Sequence, residues 1–369
     1  MRGEVIYLYA YDVAYEADLP AIDRLLTGAA KPLRLENPKD TPRDFPAYRP
    51  LTVPLGDLVL PGRHGPMRFS ALVKVFTVGA ISLSVRTKFS GEGLLDLVAF
   101  REIRFADNTT LHERVAMMTE QFVQRIMPHL TAANQVLEEP EIYTLFCIDD
   151  LDGQRSADDC MQQWLRRNER EVAALLDGES DAARLSAQEV EETLKYRYSY
   201  YTEDLAVLDW EAALLVDSTK GYEDMLFVFE VANLQLEELK AYDTKLDAVL
   251  DKAYDDVGAV RRPHAFRNRQ SVLRELREIR MDLAKVTDEL TNTTKFFGDW
   301  HLARVYMGCA ARFHLSEWAD SVTRKLRILD SLYTILQQDS TNRVMMILEA
   351  AIVALFIVDL IIIALLGVQ

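Results

Sequence analysis

The sequence predicts an α+β fold: an N-terminal mixed-sheet domain, then a long-helix hairpin or bundle, then one C-terminal transmembrane helix. Three observations point there. Period-two apolar stretches recur through the first 150 residues. Apolar residues at helical spacing recur over 222–340. The chain ends on an apolar run, 344–369, broken only by two acids. The expected divisions are 1–150 for the α+β domain, 151–221 for a connector of helices and strands, 222–340 for a coiled-coil-like region, and 344–368 for the membrane span.

In chain order, residues 4–13 read as a strand with Tyr7, Tyr9 and Tyr11 on one face. A short helix is expected over 19–27 and a Pro-rich, charged loop over 31–50. Strand patterns return at 50–60 and 69–89, the latter turning near Gly79. Helices are expected at 91–103 and 110–127, the second ending at Pro128, followed by a strand at 142–150. Ser186 and Glu189 form a capping-box pattern, in which the Ser oxygen takes a free backbone N–H and Glu reaches back to the cap. A β-rich piece around Ala206–Trp210 has the composition to join the first sheet.

Three long helices are then expected. The first, over 222–257, carries Val228, Ala232, Leu236, Leu239, Leu246 and Leu250. The second, over 266–295, carries Leu276, Leu283 and Leu290. The third, over 312–337, carries Leu315, Trp318, Val322, Leu326, Leu329 and Leu336. Such stripes pack helix on helix, within one chain as an antiparallel hairpin or bundle, or between chains as a coiled coil. We place the intrachain pairing first and leave the other open.

In the terminal run, about thirteen strongly apolar residues favour insertion by roughly 5 kcal/mol, against about 3 kcal/mol for Asp359. Glu349 and Asp359 lie ten residues apart, about 80° around a helix, so both can face one neighbouring helix. The expected partner is a second copy. Arg324, Lys325, Arg327 and Arg343 precede the run, which by the positive-inside rule puts the remaining chain in the cytoplasm, against the inner membrane. A buried core helix is the alternative.

The 369 residues carry 58 Asp and Glu against 42 Lys and Arg, a net charge of −16, which disfavours non-specific binding to nucleic acid. Cys147, Cys160 and Cys309 form no CxxC pair, so no zinc site or disulfide framework is expected and a reducing compartment fits. No cofactor is indicated. The densest chemistry lies at Asp299, His301 and Arg304, with Lys295 nearby: an Asp–His pair orients a base and Arg holds an anion. No nucleophile elbow accompanies them, and a helix-junction network explains them more simply. His264 and His314 stand alone. Asp149, Asp150 and Asp152 follow a strand without calcium-loop spacing. The tyrosines at 196, 198, 200 and 201 have few cations around them, so a packed sheet edge suits them better than a nucleic-acid platform. Gly91-Glu-Gly93 is an incomplete phosphate loop.

Phe297-Gly-Asp-Trp300, Leu302-Ala-Arg-Val-Tyr306, Lys325-Leu-Arg-Ile-Leu-Asp-Ser-Leu-Tyr333 and the Leu348-Glu349 opening of the apolar tail occur in that order. The order resembles the required-for-meiotic-nuclear-division family and its bacterial YagE-like relatives, over roughly 295–362 and weakly over 68–100. Here the second acid of the tail is Asp359 rather than Glu, and the pattern around Trp300 is altered. The resemblance implies membrane association and oligomerisation, and supplies no catalytic residues.

The functional expectation is therefore a membrane-tethered, oligomerising scaffold or adaptor, with another protein as partner. The alternative is an enzyme, a hydrolase or nucleotide-dependent enzyme, using Asp299, His301 and Arg304. A further alternative is a CorA-like ion-conducting oligomer, although the Gly-Met-Asn signature is missing.

Overall fold

In the computed structural model, residues 1–26, 31–32, 50–62, 65–91, 93–134, 137–151, 160–217, 222–258, 281 and 299–366 are described. They divide into two compact units, Met1–Ala241 with Lys285–Trp318, and Tyr242–Ala284 with Ala319–Gln369.

The first unit is built on a sheet. Its strands are β1 (Arg2–Asp12), β3 (Lys31–Pro32), β4 (Leu51–Gly62), β5 (Gly65–Val75), β6 (Ala80–Ser90), β8 (Glu141–Asp150), β9 (Tyr196–Tyr198), β10 (Leu205–Leu208) and β11 (Ala212–Val216). The order across the sheet is β3-β4-β5-β6-β1-β8-β11-β10-β9. A two-stranded ladder joins β2 (Glu16–Ala17) to β7 (Leu130–Thr131). All pairings are antiparallel except β8 with β11, so the sheet is mixed, as expected. That one parallel step needs a long connection, and the helices between β8 and β9 lie within it.

Strand β1 is central, and Val5 through Tyr11 are all buried. Val5, Tyr7, Tyr9 and Tyr11 belong to one apolar core with Val115, Phe122 and Ile126 of α2 (Leu111–Ile126) and Trp164, Leu165 and Val172 of α3 (Met161–Asp177). Two buried tyrosines still find partners: Tyr7 donates to the Phe100 carbonyl at 2.6 Å, and the Tyr9 hydroxyl meets His112 Nδ1 at 2.9 Å. Helix α1 (Leu19–Leu25) adds Ile22 to this core.

Helix α5 (Glu223–Gly258) attaches to the sheet residues of opposite parity, largely through polar groups. Glu230 pairs with Lys74 and accepts from Ser82 Oγ at 2.6 Å. Asn233 donates to the Glu141 carbonyl at 3.1 Å, Glu223 holds Arg86 in a two-point fork, and Phe229 stacks on Tyr143. Ser82, Glu230 and Asn233 are buried and recover hydrogen bonds in this contact, which favours one register of the helix on the sheet.

The turn between β5 and β6 falls where the pattern places it. Gly79 has φ +78°, and a Cβ there would lie 2.0 Å from the Ala14 carbonyl oxygen. Other local features differ from expectation. The 91–103 segment is a six-residue 3₁₀ turn, Leu95–Phe100, rather than an α-helix. Ser186 caps α4 (Ala187–Thr193) through Glu189 N at 3.1 Å, and the complete reciprocal box belongs to Thr110 and Glu113 at the start of α2. The Ala206–Trp210 piece does join the sheet, as β10.

In the second unit the end of α5 meets the first part of α7 (Leu315–Leu366). Leu246 and Leu250 are buried on one helix, and Val322, Leu326 and Leu329 on the other. Ser321 Oγ donates to Asp243 at 3.1 Å, while Lys325 Nζ reaches Asp243 at 2.8 Å and Asp247 at 2.6 Å. The pairs 243 with 321 and 247 with 325 advance together, so these two helices, the first and third of the three expected, run in the same direction. Stripe residues Leu276, Leu283 and Leu290, and the side chain of Leu336, lie outside the described residues, as do Lys295, His264 and Asp152.

The expected C-terminal transmembrane helix and membrane anchor are corrected. Among the described residues no helix is long and apolar enough to cross a membrane. Residues 344–368 are not a separate element: α7 is one 52-residue helix that begins as an amphipathic packing helix. The Asp359 side chain lies outside the described residues.

Candidate functional site

Asp299, His301 and Arg304 meet at the start of α6 (Trp300–Arg312), but they do three different things. Asp299 is the N-cap, accepting from His301 N at 2.5 Å. His301 is buried, with its ring edge-on to Tyr200 at 5.3 Å. Its Nδ1 has no partner among the described residues, and burial lowers its basicity despite Asp204 and Asp299 nearby. Arg304 points elsewhere. Its guanidinium lies over the Tyr198 ring, 5.7 Å from the centroid, at the wall of a pocket.

That pocket, about 440 Å³, opens at the β9 edge of the sheet. Helix α3 lines it with Gln162, Leu165, Arg166 and Glu169, whose spacing puts them on one face. Strand β9 and its flanks bring Leu194, Arg197, Tyr198 and Ser199; β10 brings Leu205 and α6 brings Arg304. The shape has local causes. Asn168 leaves helical geometry (φ −113°, ψ 15°), and its side-chain amide donates to the Trp164 carbonyl at 2.7 Å. The resulting kink lies between Arg166 and Glu169. At Gly308 a Cβ would come within 2.4 Å of the Tyr198 hydroxyl, so glycine there lets α6 lie directly on the ring. Burial raises the Tyr198 hydroxyl pKa and keeps it a neutral donor.

The electrostatics of the pocket are unusual for this acidic chain. Arg166 and Arg304 form no ion pair with any described residue, and Arg197 donates to the Leu194 carbonyl at 2.8 Å. Glu169 is the only acid in the lining. Three guanidiniums, permanently charged, thus share one cleft with one carboxylate.

A family model, that of the N-terminal domain of uncharacterized protein MJ0711, matches residues 2–223, more than half of the chain. The chain belongs to this family. The curated relative is uncharacterized protein MJ0711 of Methanocaldococcus jannaschii, 23% identical over 225 residues, which is 60% of this chain and 65% of that protein. The match therefore spans just under two thirds of the relative's length. No solved structure matches. The family span holds the whole sheet, with α3, β9 and β10 of the pocket wall; Arg304 lies beyond it. The resemblance drawn from 295–362 also rests on residues outside that span.

Two further features were not legible in the sequence. The first is an ionic cluster at the β10–β11 turn. Asp209 is buried and paired with Arg312, which also holds Glu192 at 3.1 Å. Burial and the neighbouring Asp209 raise the Asp177 carboxyl to about 6. The members stand far apart in sequence, on α3, α4, α6 and the turn, so no spacing announces them. The second is the distal half of α7, where Met345–Leu348, Ile352, Val353, Leu355–Val358, Ile361 and Ile362 are all exposed; Leu355 reaches 70%. The apolarity was visible in the sequence, but its exposure was not. Of the strand-end acids, Asp150 pairs with Arg2 at 2.5 Å and Asp149 accepts from Tyr222 at 3.2 Å. Among the described residues no group of side chains is arranged to hold a metal.

Proposed function

We propose that this protein is an oligomerising scaffold whose copies join one another through the distal half of α7. One observation supports it: the apolar side chains of that half are exposed around the full circumference of the helix. Positions 345 to 348 alone step through four directions at about 100° each, so one groove on a compact partner would cover only one side. A helix apolar all round belongs in the middle of something. A second copy offers an identical helix of equal length with the same two acids, Glu349 and Asp359. The exposed apolar area is on the order of 1,000 Å² per copy, comparable to one side of a stable interface. The first half of α7 already packs side by side with α5 in the second unit, so bundling suits this helix.

The test is sedimentation equilibrium of the full chain and of a chain ending at Ser340. The expected result is an oligomer for the full chain and a monomer for the shortened one. A monomeric full chain overturns the proposal. So does a full chain that associates only with lipid or detergent, because the apolar surface would then be covered by lipid and not by a copy.

A further inference from the structure

We propose that the cleft between α3, β9 and α6 is a binding site for a small organic phosphate, held by Arg166, Arg197 and Arg304. This reading is independent of assembly through α7.

Charge comes first. The chain carries a net −16, and several arginines elsewhere in the first unit are paired: Arg86 with Glu223, Arg101 with Glu211, Arg312 with Asp209. In this cleft Arg166 and Arg304 have no such partner among the described residues, and Arg197 meets only a backbone carbonyl. Three cations and Glu169 leave about two positive charges facing one space. Like charges in one cleft repel, and folding does not need them together. A ligand with two negative charges relieves the repulsion, and phosphate monoesters carry close to two at neutral pH. The planar guanidinium fork also matches phosphate oxygens two at a time.

Geometry supports the same ligand. Arg304 is steadied over Tyr198, so less side-chain freedom is lost when it binds. Arg197 is fixed on a strand and tied to the Leu194 carbonyl. The volume of about 440 Å³ is far more than an inorganic anion fills and falls within the range of about 300–1,000 Å³ usual for small-molecule sites. Leu165, Leu194 and Leu205 give the carbon part of the ligand an apolar wall, which is the reason to expect an organic phosphate.

The experiment is titration calorimetry on the full chain, with adenosine monophosphate as the phosphorylated probe and adenosine, citrate and a short single-stranded RNA as comparisons. The expected result is binding of the monophosphate and none of adenosine. Arg166→Gln and Arg304→Gln should each weaken it at least tenfold, and Arg304→Lys less. Both side chains are exposed, so the variants should keep the wild-type melting temperature; that melt is the folding control. Three results overturn the proposal: no phosphate-dependent heat, unchanged affinity in both Gln variants, or citrate binding as tightly as the monophosphate. RNA binding with no monophosphate binding also overturns it, in favour of a nucleic-acid surface.

Discussion

Single residues set the pocket wall and one pH response. Gly308 carries no side chain because Tyr198 fills the space. In Gly308→Ala the new methyl meets the Tyr198 hydroxyl and ring carbons, the nearest at 2.4 Å from the ideal position. We expect a loss of about 1–3 kcal/mol in urea unfolding, as for other overpacked sites. Gly308→Ala combined with Tyr198→Leu should recover part of the loss. Equal losses in the single and double variants would show that the clash is elsewhere. Glu237, buried on α5, has its carboxyl pushed up to about 8, first by burial and then by Glu141 and Asp12. Its ordinary value is 4.5, so between these limits the folded state holds a proton that the unfolded state has released. Stability therefore falls as pH rises through that window and stays lowered above it. Glu237→Gln cannot ionise. Relative to it, the wild type should lose on the order of 2 kcal/mol between about pH 5 and pH 9. Parallel stability curves for the two proteins would rule this out.

At the scale of elements, pattern and structure agree on which stretches form strand or helix and which of their residues are buried. The tyrosine alternation of β1 and the apolar stripe of α5 appear as expected, with Val228, Ala232, Leu236, Leu239, Leu246 and Leu250 all buried. The direction of packing was not legible. A stripe states that a helix has a partner, but not whether the partner runs with it or against it. In the second unit this is settled by Lys325, which bridges Asp243 and Asp247 across the parallel pair. Lys325 is mostly buried, and its two carboxylate partners outweigh the cost of burial and raise its pKa. Lys325→Ala should cost about 1 kcal/mol, and the loss should shrink when Asp243→Ala is already present. The contribution holds at neutral pH and disappears as pH rises through the raised lysine value. Strictly additive losses in the double-mutant cycle would show that the bridge does not couple the helices. Asp299 offers the same lesson on a smaller scale: next to a histidine it suggests acid–base chemistry, yet its oxygen is committed to starting α6.

For the molecule as a whole, the proposed assembly and the proposed phosphate site rest on different residues: the first on distal α7, the second on α3, β9 and α6. Shortening the chain after Ser340 should abolish oligomers and leave monophosphate affinity within about twofold, because none of the pocket-lining residues is removed. A parallel loss of both, measured by sedimentation and calorimetry on one preparation, would link them.

By itself the sequence determined the kinds of element and their order along the chain, because side-chain periodicity is local and each period matches one backbone geometry. It also carried the acidity and an apolar end to α7. Only the tertiary structure decided the rest. The strand order and the single parallel step depend on where distant segments return. The meeting of Arg166, Arg197 and Arg304 depends on a kink at Asn168 and the close approach at Gly308. The correction of the membrane span rests on the helices themselves: among the described residues none is long and apolar enough to cross a membrane. Convergence of residues more than a hundred positions apart leaves no periodic trace, because it is set by packing free energy summed over the whole unit and not by any local run of side chains.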